Sequence, residues 1–311
     1  MKSFYRYLPV LFLCIPVTWA GSFIAGKFII ADMPPMDSVF WRFILSAGVM
    51  LPFLFFLHRS AHPTFGDRLY LKHLTIVVLT SGISYHIFFF WALKYTSPTN
   101  TALIIALNPF FTAFAEIIFF KKPRPVRFYF GFMLAFLGAV WVNIARGDGL
   151  SLPGFGELLC LLSSLSWTVY TILAKLTKKD EWDSLWIGAY NYLFTALIVL
   201  LFIPQTLELN TVLSIKKSVW VALLYMAIFP TAIGYTLYYI GVQIKGPAWA
   251  ATYIYLVPSF TANLDYLFFK AEFTFPMVVG TTLVVLGLLL GNLNARQLKV
   301  VMRLNKHKNQ V

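Results

Sequence analysis

Charged residues are scarce in this sequence. They make up 12% of its 311 residues, whereas soluble domains average about 25%. Hydrophobic residues make up 59%, and the polar connections between apolar runs are short, the longest being 58–70. This balance excludes an ordinary soluble protein with a separate polar domain and is typical of an integral membrane protein.

Cysteine is also scarce, and recognisable catalytic patterns are lacking. Cys14 and Cys160 lie inside apolar runs without a CxxC partner or a nearby His/Cys cluster, so neither a disulfide framework nor a metal site is supported. There is no Ser/His/Asp arrangement, no GxxxxGK(S/T) phosphate loop and no pair of carboxylates in a polar stretch. We therefore expect no enzyme activity, no cofactor and no self-contained ATP-driven pump.

Positive charge is in excess, with a net charge of +13 and a pI near 9.7. No basic stripe with stacking aromatic residues lies in a polar context, so nucleic acid is not an expected partner. If the N-terminus is inside, 17 lysines and arginines fall in cytoplasmic loops and tails and 5 fall outside. This bias predicts cytoplasmic N- and C-termini.

Apolar runs of about 20 residues, long enough to cross a ~30 Å hydrocarbon core, recur along the chain. The first continues too far for a secretory signal and is matched by a later run, so we interpret it as an uncleaved helix. The sequence thus predicts an all-α integral membrane protein with ten transmembrane helices. They lie near residues 8–31, 36–57, 71–94, 98–120, 127–145, 154–176, 184–204, 218–242, 247–269 and 275–294.

One apolar stretch, 98–121, is repeated 149 positions later at 247–270. The two copies are identical at 11 of 24 aligned positions, and they share an acid, Glu116 against Asp265. Each copy carries a proline near its middle. Two interrupted spans in corresponding positions of two halves indicate the binding region of a transporter. The repeat continues beyond this stretch at two glycine pairs, Gly131/Gly280 and Gly138/Gly287.

The repeat predicts how the chain is organised. Residues 1–146 and 147–294 form two halves of five helices each, followed by a basic cytoplasmic tail, 295–311. Because five is odd, the second half enters the membrane from the opposite side. We therefore expect an inverted repeat whose binding region lies between the halves.

The two prolines, Pro109 and Pro258, lack the N–H that would satisfy the carbonyls of Ile105 and Ile254. Each carbonyl must find a partner on a neighbouring helix or water in a cavity. The symmetry of the pair favours a cavity. The two copies carry identical or similar residues at six positions that share one helix face, 98, 102, 105, 109, 112 and 116 in the first copy. Such a face either packs against another helix or forms part of the wall of the pathway.

Ionisable residues within spans are candidates for function. Glu116 and Asp265 lie near opposite faces, where they either anchor their helices at the interface or serve coupling or gating. Lys27 and Lys175 mirror each other too, and snorkelling explains them simply. Arg42 lies two turns into the second helix. It either forms an ion pair or binds backbone carbonyls, or it has a role in gating.

Aromatic residues suggest a cavity for a small organic solute. Trp19 and Trp167 occupy equivalent places in the first and sixth helices, and His86 aligns with Tyr235. Ordinary aromatic packing is the competing explanation. The candidate substrate-binding residues are Trp19, Ser22, His86, Asn108, Pro109, Trp167, Tyr170, Tyr235, Tyr238 and Pro258.

Several local patterns resemble the EamA family of the drug/metabolite transporter superfamily. They are Trp19-Ala20-Gly21-Ser22-Phe23 with Lys27, then Pro34-Pro35, then Arg42-Phe43. After Pro258 the run ends in Ala271-Glu272-Phe273-Thr274, similar to the family's G-E-R ending. The first copy departs from it, with Pro123 in place of the glutamate.

The resemblance implies a ten-helix secondary transporter of the bacterial cytoplasmic (inner) membrane that exports amino acids or related small metabolites. It also implies that helices one, three, four, six, eight and nine line the cavity. Protons are then a candidate coupling ion, and the lipid bilayer and a small solute are the expected partners. A sugar-phosphate or nucleotide-linked antiporter is an alternative if Lys27, Arg42 and His86 face one cavity. A facilitative uniporter and a non-transporting scaffold are further alternatives.

Overall fold

The computed structural model describes residues 12–57, 65–121, 125–143, 154–177, 182–270 and 274–292. Every regular element within these ranges is a helix, which confirms the all-α prediction. Among the described residues, six helices are long and apolar enough to cross a membrane, and three shorter apolar stretches accompany them. The predicted span ends at 8–11, 144–145 and 293–294 lie outside the described residues.

Ten helical stretches follow the ten predicted segments. Two further short helices, Pro204–Leu207 and Leu209–Ser214, lie in the connection between the seventh and eighth and were not predicted. We number the ten as α1 Cys14–Asp32, α2 Pro35–Leu57, α3 Arg68–Tyr95, α4 Pro98–Phe120, α5 Val126–Asn143, α6 Phe155–Thr177, α7 Ser184–Leu200, α8 Lys217–Lys245, α9 Pro247–Ala251 continued by Thr252–Leu256 and Val257–Phe269, and α10 Phe275–Asn292.

The described helices form two compact units. The first contains α1 to α4 and α6 to α9, and the second contains α5 and α10. Each unit therefore draws helices from both halves of the repeat.

The second unit is built on the repeated glycines. A Cβ on Gly131 would lie 2.2 Å from the carbonyl oxygen of Gly287, and one on Gly138 would lie 2.7 Å from that of Gly280. Only glycine allows backbones to approach this closely. The pairing runs in opposite order along the two helices, so α5 and α10 are antiparallel. These helices are equivalent in the repeat, and the arrangement is what an inverted repeat requires.

The repeated helices α4 and α9 are both interrupted, as predicted, but the interruption precedes the proline. In α4 a turn at Ala106 and Leu107 separates two helical parts, and in α9 a 3-10 turn at Thr252–Leu256 does so. Pro109 and Pro258 then lie in the first turn of the following part, where a missing N–H costs nothing.

Both carbonyls expected to be unpaired have partners. The hydroxyl of Ser164 donates to the carbonyl of Ile105 at 3.4 Å, and the backbone N–H of Val257 donates to that of Ile254. The carbonyl of Ile105 therefore has its partner on a neighbouring helix, α6, as one of the two predicted alternatives states. The carbonyl of Ile254 has a backbone hydrogen bond within α9. The predicted common face of both helices is buried throughout, including both prolines.

Candidate functional site

Equivalent residues of the two halves meet in an aromatic cluster in the first unit. The rings of Trp19 and Trp167 pack edge to face with centroids 5.4 Å apart. Tyr235 lies 5.4 Å from Trp19 and 5.0 Å from Trp167, and Tyr238 packs against both at 5.5 and 5.2 Å. Because Trp19 and Trp167 are counterparts in the repeat, their contact marks the place where the two halves adjoin.

A second pair of counterparts, His86 and Tyr235, is joined by a hydrogen bond of 2.9 Å between Nε2 and the hydroxyl. Nδ1 of His86 faces the carbonyl oxygens of Ser81 and Gly82 at 2.7 and 3.0 Å. Carbonyls only accept, so Nδ1 carries the proton and Nε2 of the neutral ring accepts from Tyr235. His86 is fully buried and all its contacts are satisfied by this neutral tautomer.

Arg42 completes this network from α2. Its Nε donates to the hydroxyl of Thr231 at 2.8 Å and its Nη2 to that of Tyr235 at 2.9 Å. The residue is 1% exposed, and its guanidinium carbon lies 5.4 Å from the ring centre of Tyr235. Its partners among the described residues are hydroxyl groups, and neither a carboxylate nor a carbonyl contacts it there. A charge buried among neutral partners leaves a positive field at this place.

Two π-helical segments shape the cluster, Val78–Ser84 in α3 and Ala227–Tyr235 in α8. They begin 149 positions apart and are therefore equivalent in the repeat. In α8 the wider turn leaves the carbonyls of Pro230 and Thr231 available, and they accept from Nε1 of Trp19 at 3.2 Å and from the hydroxyl of Tyr192 at 2.9 Å. Such segments commonly mark functional sites. Apolar periodicity gave no sign of them.

A small central cavity of about 10 Å³ lies beside this cluster. Its walls come from α1, α3, α4, α6, α8 and α9, the six helices that the resemblance implies, and none of its ten lining residues is charged. Four predicted site residues line it: Trp19, Ser22, Trp167 and Tyr235. The other six are Phe23, Tyr85, Ala102, Ile105, Ile254 and Val257, which the sequence did not single out as binding residues.

A second small cavity of about 10 Å³ shares only Trp167 and Tyr235 with the first, so these two rings separate the cavities. More of its lining residues carry polar side-chain groups, and one of them is the predicted residue Tyr170. The buried Oγ1 of Thr236 and Nε1 of Trp167 have no hydrogen-bond partner among the described residues. Its other polar lining groups belong to Ser81, Ser184, Asn191, Tyr192 and Tyr239.

The remaining predicted residues surround the cavities without lining them. Asn108 is fully buried, and its Nδ2 donates to the carbonyl of Ser164 and to the hydroxyl of Thr168, both at 2.9 Å. It therefore joins the start of the second part of α4 to α6. Pro109, Pro258 and Tyr238 are buried beside the cavities, and His86 lies behind Tyr235.

The mirrored carboxylates are buried and bind the first turns of each other's helices. Oε1 of Glu116 in α4 accepts from the backbone N–H of Ala248 in α9 at 3.1 Å. Oδ2 of Asp265 in α9 accepts from the backbone N–H of Thr99 in α4 at 3.3 Å and also from the Thr99 hydroxyl. Exposure is 5% for Glu116 and 2% for Asp265, so simple anchoring at the membrane interface does not describe them.

The mirrored lysines bind the ends of helices instead of extending to the membrane surface. Nζ of Lys27 donates to the carbonyls of Leu93 and Thr96 at 2.7 and 3.0 Å, at the end of α3. Nζ of Lys175 donates to the carbonyl of Gln243 at 2.6 Å, near the end of α8. Cations stabilise the C-terminal ends of helices, which explains both positions better than snorkelling does.

Within the described residues no group of three His, Cys, Asp or Glu side chains is placed to hold a metal ion. The arrangement instead offers aromatic faces, a few neutral hydrogen-bonding groups and one buried positive charge. These features suit binding of a small organic solute without covalent chemistry.

Comparison with known proteins gives consistent matches. The model of the EamA-like transporter family matches twice, at residues 8–144 and 154–293. An uncharacterized transporter of Archaeoglobus fulgidus is 28% identical over 88% of this chain and 92% of its own length. The Bacillus subtilis uncharacterized transporter YyaM is 29% identical over 90% and 92%.

More distant matches agree with these. A WAT1-related protein of Arabidopsis thaliana, At1g43650, is 24% identical over 89% of this chain and 88% of its own length. One solved crystal structure has a TM-score of 0.68 at 19% identity, covering 92% of this chain and 97% of its own. At that identity the match supports the fold alone.

Proposed function

The chain belongs to the EamA-like transporter family, and from that premise we propose that it carries a small organic solute, an amino acid or related metabolite, out across the cytoplasmic membrane. The observation that carries the proposal is the central cavity beside the contact between Trp19 and Trp167. A site where counterparts of two inverted halves meet becomes accessible from either face when the halves rock.

The chemistry of the central cavity supports this solute class. In the described arrangement the cavity volume of about 10 Å³ has room for about one water molecule, so entry of a solute requires its walls to move apart. The walls provide aromatic rings and aliphatic side chains for an apolar group. Behind Tyr235 lies the charge of Arg42, which has no carboxylate partner among the described residues. This charge favours a solute that carries a carboxylate over one that carries only an ammonium group.

The sugar-phosphate alternative receives less support. It depends on Lys27, Arg42 and His86 facing one cavity, whereas Lys27 binds the end of α3 and the other two meet at Tyr235. Competition by inorganic phosphate would restore this alternative.

Counterflow in proteoliposomes tests the function. We expect purified protein loaded with one unlabelled amino acid or related metabolite to accumulate the same labelled solute, while empty liposomes do not. Failure to move any solute of a broad panel would favour the scaffold alternative. An imposed pH gradient then separates proton exchange from facilitated diffusion, because only the former drives net accumulation.

Filling the central cavity tests its role directly. Ala102 is 1% exposed and lines the cavity, so Ala102→Leu adds volume where the solute is proposed to lie. We expect roughly tenfold weaker transport, with larger solutes affected more than smaller ones, since binding in the filled cavity loses contacts. Ala102→Ser adds one atom at the same place and is the matched control. An equal loss for small and large solutes would argue against this location.

Replacing His86 tests whether it carries a coupled proton. A glutamine can donate to the carbonyl of Ser81 and accept from Tyr235, which reproduces the two roles of the neutral imidazole. We therefore expect His86→Gln to keep at least about half of the transport, including any dependence on a pH gradient. Loss of that dependence with counterflow intact would assign the coupled proton to His86.

A further inference from the structure

We propose that Glu116 and Asp265 are the two gates of the transport cycle, one at each end of the pathway, and that they open in turn. The inference rests on the proposed function and goes beyond it by naming the contacts that must break. The inner gate is the bond between Glu116 and the backbone of Ala248. The outer gate is the bond between Asp265 and the backbone of Thr99.

The two gate contacts are equivalent in the repeat. Glu116 and Asp265 are separated by 149 positions, and so are Thr99 and Ala248. The symmetry of the repeat therefore exchanges one gate for the other. Because α4 and α9 run in opposite directions, the two contacts lie at opposite ends of this helix pair.

Each gate contact is strong as long as water is excluded from it. A carboxylate that accepts from a backbone N–H gains from charge assistance, and Asp265 gains further from the positive end of the helical part Pro98–Ile105. Both carboxylates are nearly excluded from solvent. Entry of water at one end would hydrate the carboxylate and the N–H separately, and so weaken that gate.

The hydrogen bonds of the neighbouring lysines differ from the carboxylate contacts in which halves they join. Lys27 binds the end of α3 and Lys175 binds the end of α8, so these hydrogen bonds stay within one half, whereas the attraction between Lys27 and Asp265 adds to the outer gate across the halves. Each carboxylate contact joins one half to the other. When the halves rock, the contacts within a half persist and the contacts between halves at the opening end are lost.

The outer gate includes a second carboxylate. Oε1 of Glu157, at the start of α6, accepts from the hydroxyl of Thr96 at 2.9 Å and from Nδ2 of Asn100 at 2.6 Å. These residues flank the first turn of α4, and the contact again joins the two halves. Removing the charge of Asp265 is therefore expected to weaken the outer gate without abolishing it.

Cysteine accessibility tests the gates without a substrate. The background replaces both native cysteines, Cys14→Ser and Cys160→Ala. One reporter is Ser184→Cys, which lines the second cavity at the inner end of α7, and the other is Ala102→Cys, on the outer part of α4. A membrane-impermeant maleimide is applied to inside-out vesicles for the first reporter and to right-side-out vesicles for the second.

The expected result is opposite shifts from mirrored changes. Glu116→Gln should raise labelling of Ser184→Cys and lower that of Ala102→Cys, each by about three- to tenfold, because it weakens only the inner gate. Asp265→Asn should do the reverse. The double variant should return both reporters towards the background values.

Shifts in the same direction for both variants would indicate general loosening and would overturn the proposal, as would unchanged labelling in both. Because this readout needs no solute, it is independent of the counterflow result. Opposite changes in labelling in a protein that moves no solute would support the gates and contradict the proposed solute class. Transport of a solute without any change in labelling would support the solute class and contradict the gates.

Discussion

Gly287→Leu is expected to destroy the packing of α5 against α10. A Cβ at this position would lie 2.4 Å from the carbonyl oxygen of Gly131 and 2.5 Å from the backbone nitrogen of Ala135. Backbone atoms cannot rotate away as a side chain can, so the helices must separate. We expect a loss of about 3 kcal/mol or more and an apparent melting temperature lower by roughly 10 °C.

Gly48→Leu is the control for this change. Gly48 also lies within a helix, α2, but nothing lies within 4 Å of a Cβ built there. The same substitution at Gly48 should therefore change the melting temperature by no more than about 2 °C. Size-exclusion profiles and thermal unfolding of both purified variants provide the measurement. Equal stability of the two variants would show that the close glycine contact does not hold α5 to α10.

Much of this fold could be predicted from the sequence because a bilayer leaves few choices. Lengths of apolar runs gave the helix positions to within a few residues at most ends, since each span must satisfy its backbone internally. The repeat placed Gly131 and Gly287 in equivalent helices. It did not show that they touch each other's helix, because a repeat aligns counterparts and says nothing about their packing.

The candidate site could be predicted only in part. Trp19, Trp167 and Tyr235 were identified because they occupy equivalent or aligned positions, and symmetry brings such counterparts together. Tyr85 and Val257, which also line the cavity, look like ordinary apolar helix residues in the sequence. Their role depends on how α3 and α9 rotate about their axes.

The π-helical segments explain the largest gap between prediction and structure. A π turn inserts one extra residue, so a side chain after it points in a direction that the 3.6-residue period does not give. Thr231, the partner of Arg42, lies inside such a segment in α8. The adjacent Pro230 and the nearby Gly234 were the available signals of an irregular helix.

Tyr235→Phe is expected to cost more function than any other conservative change at the site. The hydroxyl of Tyr235 accepts from Arg42 and donates to His86, and its ring separates the two cavities. Phenylalanine keeps the ring but removes the hydroxyl. The buried guanidinium of Arg42 then loses one of its acceptors, and Nε2 of His86 loses its donor. Unsatisfied buried groups of this kind cost about 2–5 kcal/mol. We expect transport to fall by roughly 30- to 100-fold, measured as the initial rate of counterflow.

Tyr238→Phe is the matched control for this last prediction. Tyr238 is fully buried in the same helix and packs against the same two tryptophans. Its hydroxyl lies 3.3 Å from that of Thr171 and near the side chain of Trp167, so its partners are neutral. Its removal should lower transport no more than about threefold. Adding Arg42→Met to Tyr235→Phe removes the stranded charge as well, so the double variant should be less destabilised than the sum of the two single changes. Strict additivity, or equal losses in Tyr235→Phe and Tyr238→Phe, would mean that the hydroxyl of Tyr235 does not link Arg42 to the cavity wall.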